Sequence, residues 1–214
     1  MREQTVHLFV LDGFSDWEPV YATSFLNKEA YQAFQAHPGR YGVKTVGERR
    51  APVVTAAGLT ILPDMTVDEL EPARSAMLIL PGADAWLDAA RAPVLEKAKA
   101  FLAAAVPVAA ICGAVLGLAQ AGVLNEKKHT GNSREELQGA SAYRGGALYQ
   151  DQGAFTDGDL ITGRAIAPIE FAYEIFKKLE VYTPRTLEAW YRVSKTSDPA
   201  DLAKMIDSVS EPGA

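Results

Sequence analysis

Residues 106–116, V-P-V-A-A-I-C-G-A-V-L, carry an apolar run that stops on the only cysteine of the 214-residue chain. A short strand that is apolar at every position is covered on both faces, which suits a parallel sheet held between helices better than a half-exposed antiparallel one. Residues 106–111 therefore read as a buried parallel strand, and residues 113–120 as the helix that follows it. Cys112 falls in the turn between them, where small neighbours let the backbone turn sharply and push one side chain outward, as in a nucleophile elbow. The unpaired N–H groups at the start of a helix favour negative charge, and hence the thiolate, the nucleophilic form of cysteine. A free cysteine is also among the residues most often buried as a small hydrophobe. It is the strand, the glycine and the helix around Cys112 that favour the reactive reading.

The rest of the chain repeats this alternation. Residues 5–11 (T-V-H-L-F-V-L) read as a first buried strand broken by Asp12-Gly13. Ser15 or Asp16 can cap the next helix, with Pro19 in its first turn, an apolar stripe of Trp17, Val20, Tyr21, Phe25 and Leu26, and a stop at His37-Pro38-Gly39. Glu18 sits in that first turn, near a strand end of the kind that lines the crevice of open parallel sheets; by position alone, a first-turn acid complementing the helix dipole is the stronger reading. Residues 42–46 form a second strand, 52–62 a hairpin at a sheet edge, and 66–70 a short capped helical turn. Residues 76–80 are another buried strand. It ends at Pro81-Gly82, where the N–H groups of Gly82 and Ala83 could meet a ligand's oxygen or simply form a turn.

A helical segment over 84–90 and 93–105 returns to the Cys112 strand by a crossover expected to be right-handed. After Gly122, residues 127–132 (K-K-H-T-G-N) approach the same edge, and Ser133 caps a further helix with Glu136 at capping-box spacing. Residues 147–155 look hairpin-like, Asp157-Gly158 turns into 160–162, and helices follow over 168–179, 183–195 and 199–209. Neither repeat nor linker interrupts the chain, so one domain over residues 1–214 is expected, with a helical extension from about 181.

Composition excludes some partners. Lys and Arg number 21 against 27 Asp and Glu, a formal charge of −6, so no basic field draws in nucleic acid. A lone cysteine forms no intrachain disulfide and no multi-thiolate zinc site, and it suits a reducing compartment. No apolar stretch reaches membrane-spanning length, and M-R-E-Q-T leads into a strand-like run rather than a signal peptide. The expectation is a cytoplasmic protein with a small-molecule substrate, no metal or cofactor, and neither nucleic acid nor membrane as partner.

Five segments occur together: D-G-F-S-D-W-E-P, L-P-G, A-A-I-C-G-A, K-H-T-G-N and L-I-T-G-R-A-I-A-P-I-E-F-A. In this order, across residues 6–179, they resemble the ThiJ/PfpI (DJ-one) superfamily. The resemblance implies an α/β fold: a flavodoxin-like three-layer sandwich of the class I glutamine amidotransferase type, with a mostly parallel central sheet and helices on both faces. It carries Cys112 over as the elbow cysteine and Glu18 as the acid beside it, with Gly82 and Gly113 as backbone donors. Asp16, His129, Asn132 and Arg164 are further candidates for lining the site. It also implies a homodimer, for which Tyr21, Phe25, Trp190 and Tyr191 offer apolar surface.

The departures from that family narrow the chemistry. Its presumed proteases carry histidine directly after the elbow cysteine, whereas this chain has Gly113; true amidotransferases carry a His-Pro-Glu segment after it, and none occurs here. His7 lies inside a strand, His37 ends a helix, and Asn132 rather than His129 aligns where some members place a histidine or tyrosine near the sulfur. The residues favour a cysteine-dependent enzyme acting on a carbonyl, aldehyde-derived or amide substrate, with Cys112 as nucleophile and Glu18 as proton partner. The alternative is a redox-responsive or stress-protective protein whose Cys112 oxidises to sulfinic acid; proteolysis is not expected. The thiol is expected to be acidified by its helix, and Glu18 to stay protonated beside it.

Overall fold

The computed structural model describes residues 4–210. Its strands are β1 (Gln4–Phe9), β2 (Tyr41–Gly47), β3 (Val53–Val54), β4 (Thr60–Ile61), β5 (Met65–Thr66), β6 (Met77–Leu80), β7 (Val108–Ile111), β8 (Ala154–Asp157) and β9 (Leu160–Gly163). Its α-helices are α1 (Trp17–Asn27), α2 (Glu29–Gln32), α3 (Ala92–Ala103), α4 (Gly113–Gln120), α5 (Arg134–Gln138), α6 (Pro168–Lys178), α7 (Pro184–Thr196) and α8 (Pro199–Ser210). The central sheet runs β5-β2-β1-β6-β7-β9-β8. Every pairing in it is parallel except β8 with β9. All residues of β6 and β7 are buried, as their unbroken apolar sequences require when both faces are covered.

From β1 through α1 to β2 the chain steps one way across the sheet; from β6 through α3 to β7, and through α4 to β9, it steps the other way. Right-handed crossovers then put α1 on one face and α3 and α4 on the opposite one. The α1 side continues with α6, which packs on α1, then α7 on α6 and α8 on α7. Aromatic rings knit that side: Phe176 and Trp190 stand edge to face with centroids 4.8 Å apart. This is the flavodoxin-like sandwich expected. The strand order reverses between β1 and β6, and the C-terminal strand ends at such a switch point form a crevice.

Five local expectations are corrected. The first helix stops at Asn27, and Lys28 is extended, well before His37-Pro38-Gly39. Its buried residues are Glu18, Pro19, Ala22 and Leu26, with Phe25 packed against the core beside them, which leaves Trp17, Val20 and Tyr21 exposed; a stripe at 18, 22 and 26 faces the core, so of the apolar residues predicted to do so Leu26 and Phe25 do and the other three lie off it. The 52–62 hairpin forms as β3 and β4, but as a separate two-stranded sheet against the loop after β1, with Gly13 N–H donating to the Val54 carbonyl at 2.7 Å. Segment 84–90 divides into two 3-10 turns, Asp84–Leu87 and Ala89–Arg91, because the Asp88 carboxylate caps the Ala90 N–H and restarts the chain. The hairpin placed at 147–155 is instead β8 with β9, turned by Gly158 at φ +62°. No helix among the described residues is long and apolar enough to cross a membrane.

Candidate active site

Three strand ends at the switch point supply the site: that of β1, which leads to Glu18, that of β6, which leads to Gly82, and that of β7, which leads to Cys112. Cys112 stands at the N-cap of α4 with φ 57° and ψ −126°, a conformation open to glycine and rare for other residues. Its own N–H donates to the Gly163 carbonyl at 2.9 Å, and its carbonyl accepts from Val115 N–H at 3.0 Å. A Cβ on Gly113 would overlap the Ala83 carbonyl oxygen and lie 3.1 Å from Trp86 Cδ1, while one on Gly117 would lie 2.8 Å from Trp86 Cε3. Trp86 is itself held by a bond from Nε1 to the Pro81 carbonyl at 2.8 Å. The loop after β6 is thereby pressed onto the elbow, and only glycine lets it come so close.

Glu18 is fully buried, and its Oε2 accepts the Gly82 N–H at 2.6 Å. A Cβ on Gly82 would stand 2.5 Å from that oxygen and 2.7 Å from Cys112 Cβ, so Gly82 is where acid and cysteine meet. Its N–H is thus engaged by Glu18 and is not the free oxyanion donor expected. Ala83 lies against Gly113, and the Gly113 N–H faces the sulfur. The other Glu18 oxygen, Oε1, is buried without a partner of good geometry, and the carboxyl faces the Cys112 thiol and the Ser15 side chain.

Asn132 reaches the sulfur, its Nδ2 lying 3.4 Å from Cys112 Sγ. His129 does not: it is buried, with Nδ1 at 2.7 Å from the Lys127 carbonyl and Nε2 at 2.7 Å from the Tyr143 hydroxyl. Asp16 neither caps α1 nor turns to the sulfur; its carboxylate accepts from Thr55 Oγ1 at 2.5 Å and from Ala57 N–H at 3.2 Å, tying down the 55–57 loop. Arg164 pairs with Asp151 and donates to the Tyr149 hydroxyl and to the Gly131 carbonyl, so it braces the loop that carries Asn132. Trp86 and Glu136 escaped the sequence reading. Glu136 was visible only as a capping-box residue, although its carboxylate accepts from Asn132 Nδ2 at 3.3 Å.

Burial raises the Glu18 pKa, opposed by hydrogen bonds from Gly82, the Cys112 thiol and Ser15. Burial also pushes the Cys112 thiol up to about 11, with the Glu18 charge adding to the rise and the Asn132 and Gly113 donors opposing it. The expected acidified thiol is therefore corrected: removing the sulfur from water next to a carboxylate outweighs the helix N-terminus. Both shifts run upward, so burial favours the protonated forms of the thiol and of the carboxyl that faces it. Burial also lowers His129, and it lowers the buried His7 to about 4. Among the described residues no three His, Cys, Asp or Glu side chains converge to hold a metal.

The arrangement brings a thiol, a buried carboxyl and N–H donors together at the strand ends. A model of the DJ-1/PfpI family matches residues 4–178. A Bacillus subtilis protein described as the uncharacterized protease YoaZ is 36% identical over 211 residues, covering 98% of this chain and 100% of its own length. A deglycase of Thermococcus kodakarensis is 28% identical over 163 residues, covering 72% of this chain and 85% of its own. The crystal structure of a thiJ/pfpI family protein from Bacillus anthracis superposes with a TM-score of 0.88 at 35% identity, covering 99% of this chain and 100% of its own.

Proposed function

This chain belongs to the DJ-1/PfpI family, and from that premise we propose that it is a cysteine-dependent enzyme acting on small carbonyl or aldehyde-derived compounds. The observation that carries this reading is the fully buried Glu18 carboxyl set against the thiol of an elbow cysteine. As the sulfur attacks the carbonyl carbon, its proton passes to Glu18. The C–S bond forms, and the carbonyl π pair moves to oxygen beside the Gly113 and Ala83 N–H groups. Glu18 then returns the proton to that oxygen, completing a neutral hemithioacetal. A thiol pushed up to about 11 needs such a base, since little of it is ionised at neutral pH.

Peptide hydrolysis is the weaker reading: Gly113 follows the cysteine, and both His129 nitrogens are engaged elsewhere, so no imidazole serves a peptide amine leaving group. The deglycase among the relatives favours aldehyde-derived substrates. The test is consumption of methylglyoxal, and of its adducts with free amino acids, by the purified protein. Turnover is expected to fall ~100-fold or more in Cys112→Ser; equal turnover in that variant refutes the proposal. The redox reading retains one supporting observation, a half-buried Cys112 whose sulfur is flanked by N–H donors that could hold sulfinate oxygens. Peroxide-dependent function without turnover would favour it.

We also propose a cytoplasmic homodimer that joins through the exposed Trp17, Val20 and Tyr21 of α1. Trp190 is fully buried and contributes no free surface, while Phe25, packed on it at 5.6 Å, stays partly exposed. A mass of 23.0 kDa by light scattering at micromolar concentration would exclude the dimer there.

A further inference from the structure

We propose that Glu136 is a positioning residue that acts on Cys112 through Asn132, fixing the Asn132 amide as a hydrogen-bond donor to the sulfur. The inference rests on Cys112 as the reactive group and adds what governs its environment on the side away from Glu18. Asn132 Nδ2 stands 3.4 Å from the sulfur and 3.3 Å from Glu136 Oε1, while its Oδ1 accepts the Ala165 N–H at 3.0 Å. These contacts select one amide orientation. Flipped, the amide would set its oxygen against a carboxylate and its NH2 against the Ala165 N–H, acceptor on acceptor and donor on donor. The two amide hydrogens then fork, one toward Glu136 and one toward Cys112. The loop beneath is fixed as well, since Arg164 Nε and the Tyr149 hydroxyl both donate to the Gly131 carbonyl, at 3.2 and 3.0 Å.

Helix capping does not account for this use of Glu136. Ser133 Oγ already accepts the Glu136 N–H at 3.0 Å, so α5 starts without help from the carboxylate. That carboxylate also keeps its second oxygen, Oε2, buried with no partner, an arrangement that costs stability. Four groups act on the sulfur: Glu18 from α1, the Gly113 N–H at the head of α4, Asn132 on its loop, and Glu136 behind Asn132 from α5. An amide can only donate here. It favours the anionic sulfur, or an oxygen bound to it, without taking part in proton transfer, and Glu136 is what keeps it aimed.

The test reads the sulfur directly, as the rate of Cys112 alkylation by iodoacetamide from about pH 7 to pH 10. Glu136→Ala is expected to slow alkylation roughly threefold to tenfold, the factor of one hydrogen bond, and to move the profile to higher pH. Glu136→Gln, whose carbonyl can still accept from Asn132, should remain within about twofold of the parent. In an Asn132→Ala background, Glu136→Ala should add nothing further, because the group it acts through is gone. A parent-like profile for Glu136→Ala, or an undiminished effect without Asn132, overturns the proposal. Should Glu136→Ala fail to fold, Glu136→Met fills the space with no strong acceptor and takes its place. If no substrate is consumed while this pattern holds, it is the enzymatic proposal that fails and the positioning role that stands.

Discussion

Two strand-to-helix junctions deliver the paired groups of the site, and they are built in opposite ways. Between β7 and α4 only Cys112 intervenes, whereas residues 10–16 separate β1 from α1 and the acid arrives inside the helix. The aim of Cys112 is set by its own φ and by glycine at the next position. That of Glu18 is set by the Gly82 N–H, 64 positions away along the chain. A side chain aimed by local backbone tolerates changes elsewhere but few at its own turn; one aimed by a distant donor depends on the whole sheet being assembled.

The largest expected effect falls on the long-range side. Glu18→Gln keeps the acceptor for Gly82 and removes the base, so turnover of a carbonyl substrate should fall ~100-fold or more. Alkylation of Cys112 at neutral pH should rise, because the negative charge that pushes the thiol up has gone. Stability should move as well. The folded-state pKa of Glu18 is raised, so its protonated form is the one folding favours; that stability is complete below the unfolded value and is lost as pH rises through the folded one. Glu18→Gln should therefore melt above the parent at pH 7 and level with it near pH 4. Equal melting of variant and parent at both values would show that folding does not raise the Glu18 pKa.

Next in size is the local junction. Gly113→Ala sets a Cβ against the Ala83 carbonyl oxygen and should cost about 2 to 3 kcal/mol in urea unfolding. Gly146→Ala, where a Cβ meets nothing within 4 Å, should stay within ~0.5 kcal/mol. If the two cost the same, the elbow is not confined as described. The smallest effect belongs to Asp16→Ala, which frees Thr55 and Ala57. A loss of about 1 kcal/mol is expected, with Cys112 alkylation unchanged, since Asp16 holds a loop and does not touch the sulfur.

This division also marks what could be read from the sequence. The elbow was legible because an unbroken apolar strand, Cys112 and Gly113 are adjacent, and their consequence is local. The fold was legible for the same reason, strand by strand. Glu18 could be assigned only through resemblance, since a first-turn acid looks the same whether it faces solvent or the core. His129 and Asn132 stand three positions apart, yet Tyr143 claims the first and Ala165 N–H the second. Those partners are distant in sequence, so nothing in K-H-T-G-N distinguishes the two. The exposed stripe of α1 was misread because burying Glu18 rotates the helix, and no local propensity anticipates a buried acid.

The left-handed backbone at Cys112 has a consequence for how this chain can change over evolutionary time. A non-glycine residue in that conformation costs roughly 1 to 2 kcal/mol, so the single substitution Cys112→Gly relieves strain while abolishing the thiol. Drift toward stability and drift toward loss of the sulfur therefore run in the same direction at this codon, and β-branched residues are barred from it altogether. A lineage that keeps cysteine there does so against a standing thermodynamic bias, and a lineage released from the need for it has glycine one substitution away.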